Sequence, residues 1–144
     1  MKKDKIKRKT LEQKGFKELI KVLDKVYSEY IRLRTSDSNG YCRCITCGRV
    51  YHWKSLDCGH FIGRGNYSVR FNELNTAPQC VECNSYNGGE RVKFEKTLIN
   101  IHGIEAVEEL KRIAKQEERP TNEELRKMII MYKEKLKILL IEKL

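Results

Sequence analysis

The sequence lacks any apolar run of about 18 residues, the length that a membrane-spanning helix needs, so a membrane span is excluded. Its basic N-terminal segment is not followed by the apolar stretch of a signal peptide, and we therefore expect a cytoplasmic protein. Internal repeats and low-complexity segments are also missing. A length of 144 residues then favours a single domain.

Acidic residues are also outnumbered by basic ones. The chain has 20 acidic residues against 30 Lys and Arg, which gives a formal net charge of +10. Such an excess favours a polyanionic partner, although a plain solvated basic surface would give the same count. The six cysteines of a cytoplasmic chain favour metal binding over a disulfide framework, because that compartment is reducing.

Changes in residue composition along the chain predict four segments within one domain, residues 1–144. Residues 1–10 form a basic arm, and residues 11–34 form a helix because apolar side chains recur at steps of three and four. Residues 41–89 contain all six cysteines and most glycines, which is typical of short strands and loops around a metal. Residues 90–144 form the C-terminal helices.

The C-terminal part divides into three helices by its start and stop signals. Arg91–Gly103 ends on a glycine, a second helix covers 104–116, and the last begins with a capping box of Thr121 and Glu124. The last helix has apolar residues outside its main stripe, from which we predict a homodimer. These residues are Met128, Met131, Ile138 and Ile141.

Two C-x-x-C pairs, separated by 32 residues, carry the clearest chemical signal: Cys44/Cys47 and Cys80/Cys83. A two-residue gap lets both thiolates of a pair face one ion, and two pairs complete a tetrahedral four-sulfur site. Gly48 follows the first pair, where such turns often need a positive φ. Cys42 is a weaker alternative to Cys44, and Cys58 is expected to be a small buried residue. We therefore predict structural Zn²⁺ with no open position for substrate.

Between and just after the pairs lie the motifs LDCGHF, RFNELNTAPQC and CN. In this order they resemble the zinc-bearing HNH, or His-Me finger, nucleases. The resemblance is closer to the phage NinG family, also called Rap, of the lambda ninR recombination region, and covers about residues 27–110. It implies an α+β fold in which a small zinc-stabilised ββα (His-Me finger) core is flanked by an N-terminal helix and C-terminal helices.

The same resemblance implies a role for each candidate residue. His60 corresponds to the general base, Asn75 to the central asparagine that braces the loop, and Asn84 to a metal ligand on the helix. Gly59 stands where many of these nucleases have an acidic or histidine ligand. Asp57 is the nearest carboxylate and becomes the candidate second ligand.

The chemistry of these residue types agrees with those roles. A histidine titrates near neutral pH and can take a proton from water. Oxygen ligands such as Asp57 and Asn84 suit a hard cation, Mg²⁺ or Mn²⁺, that stabilises charge on a phosphodiester. Arginine matches phosphate in a bidentate way, so the candidates for DNA binding are Arg64, Arg70 and Arg91.

The resemblance therefore implies a metal-dependent DNA endonuclease of phage recombination that prefers branched DNA such as Holliday junctions and D-loops. A non-catalytic zinc-dependent DNA-binding accessory module is the main alternative, and a protein-interaction adaptor is a third. For His60 itself, ligation of zinc in a Cys₃His site and burial beside Phe61 in the core are the alternatives to catalysis.

Overall fold

The computed structural model describes residues 7–143, so the predicted basic arm lies outside the described residues except for its last four positions. Within them, four short strands lie between one N-terminal helix and three C-terminal helices, and the predicted α+β class is confirmed. The helices are α1 (Phe16–Arg34), α2 (Arg91–His102), α3 (Ile104–Ala114) and α4 (Asn122–Lys143). The strands are β1 (Tyr41–Arg43), β2 (Val50–His52), β3 (Leu56–His60) and β4 (Thr76–Cys80).

The helix boundaries follow local signals in the sequence. The helix predicted from Leu11 begins at Phe16 instead, because a short 3₁₀ turn and Gly15 come first. Gly103, with φ +89°, separates α2 from α3 as predicted. The predicted cap of α4 is also observed, since the Glu124 amide donates to Thr121 Oγ1 at 3.1 Å.

The main core forms where α1 packs against α4. Apolar residues recur every three or four positions on both helices, so each buries one stripe. Tyr27 and Tyr132 meet edge to face with ring centroids 4.9 Å apart. Fully buried side chains of this size stabilise the fold by about 1.5–3 kcal/mol each. The largest of the fully buried residues here are Leu19, Leu23, Tyr27, Ile31, Leu33, Leu125 and Ile129.

The strands form two antiparallel hairpins between α1 and α2. In the longer one, β3 pairs with β4 so that Leu56 is opposite Cys80 and His60 is opposite Thr76. A helical turn, Glu82–Tyr86, follows β4 and leads into α2. As a result, β3 packs against α1, and the helical turn lies next to β4.

Three of the four α4 residues from which we predicted a dimer interface are exposed. Ile138 and Ile141 are 46% and 74% exposed and Met131 is 41% exposed, while Met128 packs against the core. The homodimer itself stays a prediction. Among residues 7–143, no helix combines the length and apolar character required to cross a membrane.

Candidate functional site

The four cysteines of the C-x-x-C pairs converge as predicted. Their Sγ atoms all lie within 4.8 Å of one another, and Cys47 Sγ is 3.8 Å from Cys80 Sγ. Tetrahedral zinc with Zn–S bonds of about 2.3 Å requires sulfurs about 3.8 Å apart, so the donor set fits zinc. The four cysteines can therefore hold a metal such as Zn²⁺, and no fifth side chain is needed.

Within each C-x-x-C pair, the backbone amide of the second cysteine donates to the sulfur of the first. The amide of Cys47 donates to Cys44 Sγ, and the amide of Cys83 donates to Cys80 Sγ, both at 3.5 Å. Burial raises the pKa of the Cys44 thiol, but hydrogen bonds from the Cys47 amide and the Thr46 hydroxyl outweigh it and lower the pKa to about 6. Cys44 therefore favours the thiolate, which is the form that binds metal, whereas desolvation raises the pKa of its partner Cys47.

The remaining cysteines and His60 stay outside this cluster. Cys42 is buried and directs its thiol towards the Arg32 carbonyl. Cys58, which was expected to be buried, is only partly buried and packs against the main core, and desolvation raises the pKa of its thiol to about 12. His60 is not among the clustered ligands, which removes the Cys₃His alternative for the described residues. Gly48, with φ +74°, makes the turn predicted after the first pair.

A polar cleft of about 640 Å³ opens between α1, β3 and the turn after β4. It brings together residues that are far apart in the sequence, from α1 to the start of α2. Its lining contains five residues that we had singled out, namely Asp57, His60, Arg64, Asn84 and Arg91. The two others, Asn75 and Arg70, lie behind this surface and have different surroundings.

His60 ends β3 with one ring nitrogen already occupied. Its Nε2 lies 2.9 Å from the Arg70 carbonyl oxygen, which can only accept, so Nε2 carries the proton. The Nδ1 atom is then left as the acceptor. Burial lowers the pKa of His60, and the nearby Arg64 and Arg70 charges lower it further. The imidazole is therefore neutral near pH 7 and able to take a proton.

Asp57 and Asn84 meet across the cleft floor. The Asn84 amide nitrogen donates to Asp57 Oδ2 at 3.1 Å, although the two residues are 27 positions apart. Asp57 is held by strand pairing, and Asn84 by the helical turn that also carries Cys83. A carboxylate and an amide side by side provide oxygen atoms of the kind that Mg²⁺ and Mn²⁺ prefer. The pair can therefore supply part of a cation site.

Asn75 is fully buried and holds the loop that follows β3. Its Oδ1 accepts from the Ile62 amide at 2.8 Å, and its Nδ2 donates to the carbonyls of Ile62 and Val69 at 2.9 and 3.1 Å. The amide oxygen and the amide nitrogen of Asn75 are both engaged within the loop. Asn75 therefore braces the segment between His60 and Arg70 and does not face the cleft.

Arg70 differs from its predicted role in DNA binding. Its guanidinium makes two hydrogen bonds to the Asp24 carboxylate, at 3.1 and 2.6 Å, and its side chain is only 11% exposed. A third hydrogen bond runs to the Arg64 carbonyl at 2.8 Å. Each nitrogen of the guanidinium thus has a partner within the protein, and its low exposure keeps it away from a phosphate in the cleft. Arg70 instead fixes the carbonyl that orients His60.

Three charged residues of the cleft lining were missed by sequence reasoning: Asp24, Arg32 and Lys54. Arg32 reaches the Trp53 carbonyl at 3.0 Å and lies over the Trp53 ring. With Lys54 and the exposed Arg64 and Arg91, it surrounds the cleft with positive charge. For Asp24 and Arg32, helical spacing is the one feature of the sequence that could have indicated a shared site, since positions 24, 28 and 32 lie on one face of α1.

Gly59 has a steric reason for being glycine. A Cβ atom at this position would lie 2.8 Å from Gln79 Cβ and still closer to Gln79 Oε1. Gln79 is fully buried and donates to the Gly89 carbonyl at 2.8 Å, so it cannot easily move. No side chain, and hence no metal ligand, fits at position 59, which leaves Asp57 as the nearest carboxylate on β3.

Fold and site together define an α+β protein that combines a four-cysteine cluster able to hold a metal with a basic, polar cleft. Residues 1–142 match the family model described as "Bacteriophage Lambda NinG protein". The chain is 35% identical over 136 residues to "Protein ninG" of Escherichia phage 933W, covering 94% of this chain and 65% of that protein. The chain therefore belongs to the NinG family.

Two further relatives give the same result. "Protein ninG" of Salmonella phage P22 and of Escherichia phage lambda are each 34% identical over 135 residues, which is 93% of this chain. The chain spans 64% and 63% of those proteins, respectively, so it covers a little less than two thirds of the relatives. No solved structure matches the chain.

Proposed function

We propose that this chain is a metal-dependent endodeoxyribonuclease of the HNH, or His-Me finger, type, acting in phage recombination in the host cytoplasm. The observation that carries the proposal is the cleft, whose lining combines a neutral histidine, a carboxylate–amide pair and several basic side chains. Such a combination suits hydrolysis of a phosphodiester, which needs a base, charge neutralisation and a clamp for the phosphate.

His60 acts as general base in this proposal. Because Nε2 donates to the Arg70 carbonyl, Nδ1 is the atom that takes the proton from the attacking water. The lowered pKa keeps the ring neutral at working pH, and the loop braced by Asn75 holds it in place. A positioned base of this kind contributes about 10²–10⁴ in rate.

Asp57 and Asn84 would hold the catalytic cation, Mg²⁺ or Mn²⁺, through their side-chain oxygens. The ion would supply positive charge to the phosphate in the transition state. Arg32, Arg64 and Arg91 then neutralise and orient the flanking phosphates from the rim of the cleft. The zinc cluster takes no chemical part and holds β4 and the following turn, which carries Asn84.

The substrate in this proposal is DNA, with branched forms such as Holliday junctions and D-loops preferred. Its support is the family membership, the net charge of +10 and the basic rim of the cleft. The ββα arrangement is supported by the β3–β4 hairpin, the helical turn and α2, which follow one another in that order.

The test is cleavage of supercoiled plasmid and of a four-way junction, with and without Mg²⁺ or Mn²⁺. Purified protein should cut only when the metal is added, and the His60→Ala variant prepared in parallel should cut about 10²–10⁴-fold more slowly. Equal cutting by both proteins would show that the activity does not depend on His60, and no cutting under any metal would reject the nuclease assignment.

A non-catalytic zinc-dependent DNA-binding module is the second candidate. Two observations favour it: position 59 has no room for a ligand, and the Asn84 amide already donates to Asp57. A module of this kind would bind junctions with the same affinity whether or not Mg²⁺ is present. Binding that is unaffected by metal, together with no cleavage, would select it over the nuclease.

A further inference from the structure

The solvent face of α1 carries a row of lysines that leads to the cleft. Lys17, Lys21 and Lys25 follow one another at steps of four and are all exposed. Residues four apart lie on one face of a helix, so the three ammonium groups form a stripe. Further along the same face, Asp24, Ser28 and Arg32 line the cleft. The row, named here the α1 lysine stripe (Lys17, Lys21, Lys25), therefore ends where the cleft begins.

The three ammonium groups of the stripe are not neutralised by carboxylates of the described residues. Among residues 7–143, none of the three lysines forms an ion pair, whereas carboxylates nearby are occupied. Glu18 pairs with Lys9 at 3.0 Å, and Asp24 pairs with the buried Arg70. Glu29, at the edge of the stripe, is the remaining carboxylate of α1. The face consequently keeps a net positive charge in contact with solvent.

The opposite face of α1 accounts for the orientation of the stripe. Its apolar residues pack against α4, and this packing forms the main core. The helix cannot rotate about its axis without exposing those residues, so the lysines are fixed outward. From Lys17 to Arg32 the helix rises roughly 22 Å at about 1.5 Å per residue. Duplex DNA of that length has about six or seven base pairs, at about 3.4 Å per base pair along a strand.

We propose that the α1 lysine stripe binds the phosphate backbone of the duplex arm that leads into the cleft. This inference rests on the proposed function, since it takes DNA as the partner. Phosphate contacts by lysine are independent of sequence, so the stripe sets the direction of the arm and adds affinity. It holds the helical arm outside the cleft, while Arg32, Arg64 and Arg91 contact phosphates within it.

The test compares two triple variants of the full chain that lose the same charge. The first replaces the stripe (Lys17→Gln, Lys21→Gln, Lys25→Gln). The control replaces three exposed lysines beyond α1 (Lys96→Gln, Lys115→Gln, Lys133→Gln). Binding to a labelled duplex is measured by fluorescence anisotropy across a salt series, without added Mg²⁺. Circular dichroism verifies that both variants are folded.

The stripe variant should lose about 2–3 units from the slope of log affinity against log salt, since each phosphate contact contributes about 0.9. The control should lose less than one unit. An equal loss in both variants would show that only net charge matters, and would overturn the inference.

Arm length provides a second and sharper measurement. For the wild type, extending a duplex arm from about four to about fifteen base pairs should raise affinity, because the added phosphates reach the stripe. The stripe variant should gain much less from the same extension. If both proteins gain equally, the inference fails while the nuclease proposal stands. If the wild type binds no DNA of any length, the proposed function fails with it.

Discussion

The cysteine cluster and the cleft are neighbours in the fold but are built in different ways. Each half of the cluster comes from four consecutive residues, whose own amides point at the sulfurs. The cleft draws on α1, β3, the loop after it and the turn after β4. The cluster is thus local and repeated, whereas the cleft depends on long-range packing.

The two regions also treat charge in opposite ways. The cluster gathers four thiolate-forming groups that need one cation to balance them, so metal and fold depend on each other. The cleft keeps His60 neutral and surrounds it with positive groups, so it is suited to an anion that arrives from outside. Variants that damage one region without the other should separate folding from function.

The largest effect is expected at the cluster. Cys83→Ser should abolish zinc binding and unfold the region around β4, because structural zinc contributes roughly 10–16 kcal/mol of apparent binding free energy. Elemental analysis and thermal unfolding measure both results, and the wild type should contain about one zinc per chain. Cys42→Ser is the matched control, since Cys42 is buried but lies outside the cluster. A zinc-free Cys83→Ser protein as stable as the wild type would contradict the comparison.

The next largest effect is expected at His60. His60→Ala should keep zinc, fold and DNA affinity but lose about 10²–10⁴ in cleavage rate, which is the usual contribution of a general base. Single-turnover cleavage measures the rate, and anisotropy measures the affinity. A variant that cuts as fast as the wild type would remove His60 from catalysis.

The pH profile sharpens the same assignment. Burial lowers the pKa of His60, so its protonated form should appear only below the ordinary histidine value near 6.5. The wild-type rate should therefore fall as pH decreases through a pKa below 6.5 and stay level above it. The residual rate of His60→Ala should lack this acid limb. A limb centred above pH 7 would be inconsistent with a buried His60 as the base.

Asp57 and Asn84 should respond to metal concentration where His60 does not. Asp57→Ala and Asn84→Ala should each raise the Mg²⁺ or Mn²⁺ concentration needed for half-maximal cleavage, by at least the roughly 10–100-fold that loss of an outer contact to a metal ligand costs. Excess metal should partly restore both variants, whereas His60→Ala should gain nothing. Unchanged metal dependence in Asp57→Ala would show that another residue supplies the second ligand.

A smaller effect is expected behind the cleft, at the ion pair that supports it. Asp24→Asn leaves the Arg70 guanidinium with weaker partners in a largely buried position, so unfolding free energy should fall by about 1–3 kcal/mol. Cleavage should slow as well, because the Arg70 carbonyl orients His60. The control is Glu18→Gln, which breaks the exposed pair with Lys9 and should change stability far less, because solvent screens that pair. Equal stability losses would show that burial of the pair is unimportant.

The smallest effect on either region is expected from the exposed face of α4. Ile138→Glu with Ile141→Glu should leave zinc content and single-turnover cleavage unchanged, because neither residue belongs to the cluster or the cleft. If this face forms the predicted homodimer, sedimentation velocity should show the variant shifting to monomer at about 10 µM, where ordinary dimers persist. A wild type that is already monomeric there would end the dimer hypothesis.

The sequence by itself determined the features that depend on short spacing. The C-x-x-C pairs, the glycine after the first pair and the Thr121 cap each act within a few residues, so their geometry follows from local backbone rules. The helical pattern likewise located the helices, apart from the first turns before Gly15.

Only the tertiary structure decided what the arginines and the α1 residues do. Arg70 lies close in sequence to Arg64 and looks equivalent, yet the packing of α1 brings Asp24 to within 2.6 Å of it and removes it from the surface. Asp57 and Asn84 meet only because β3 pairs with β4 and a helical turn follows. The sequence pattern could not reveal these contacts, because a side chain's partner across 27 or 46 positions is set by how whole elements pack.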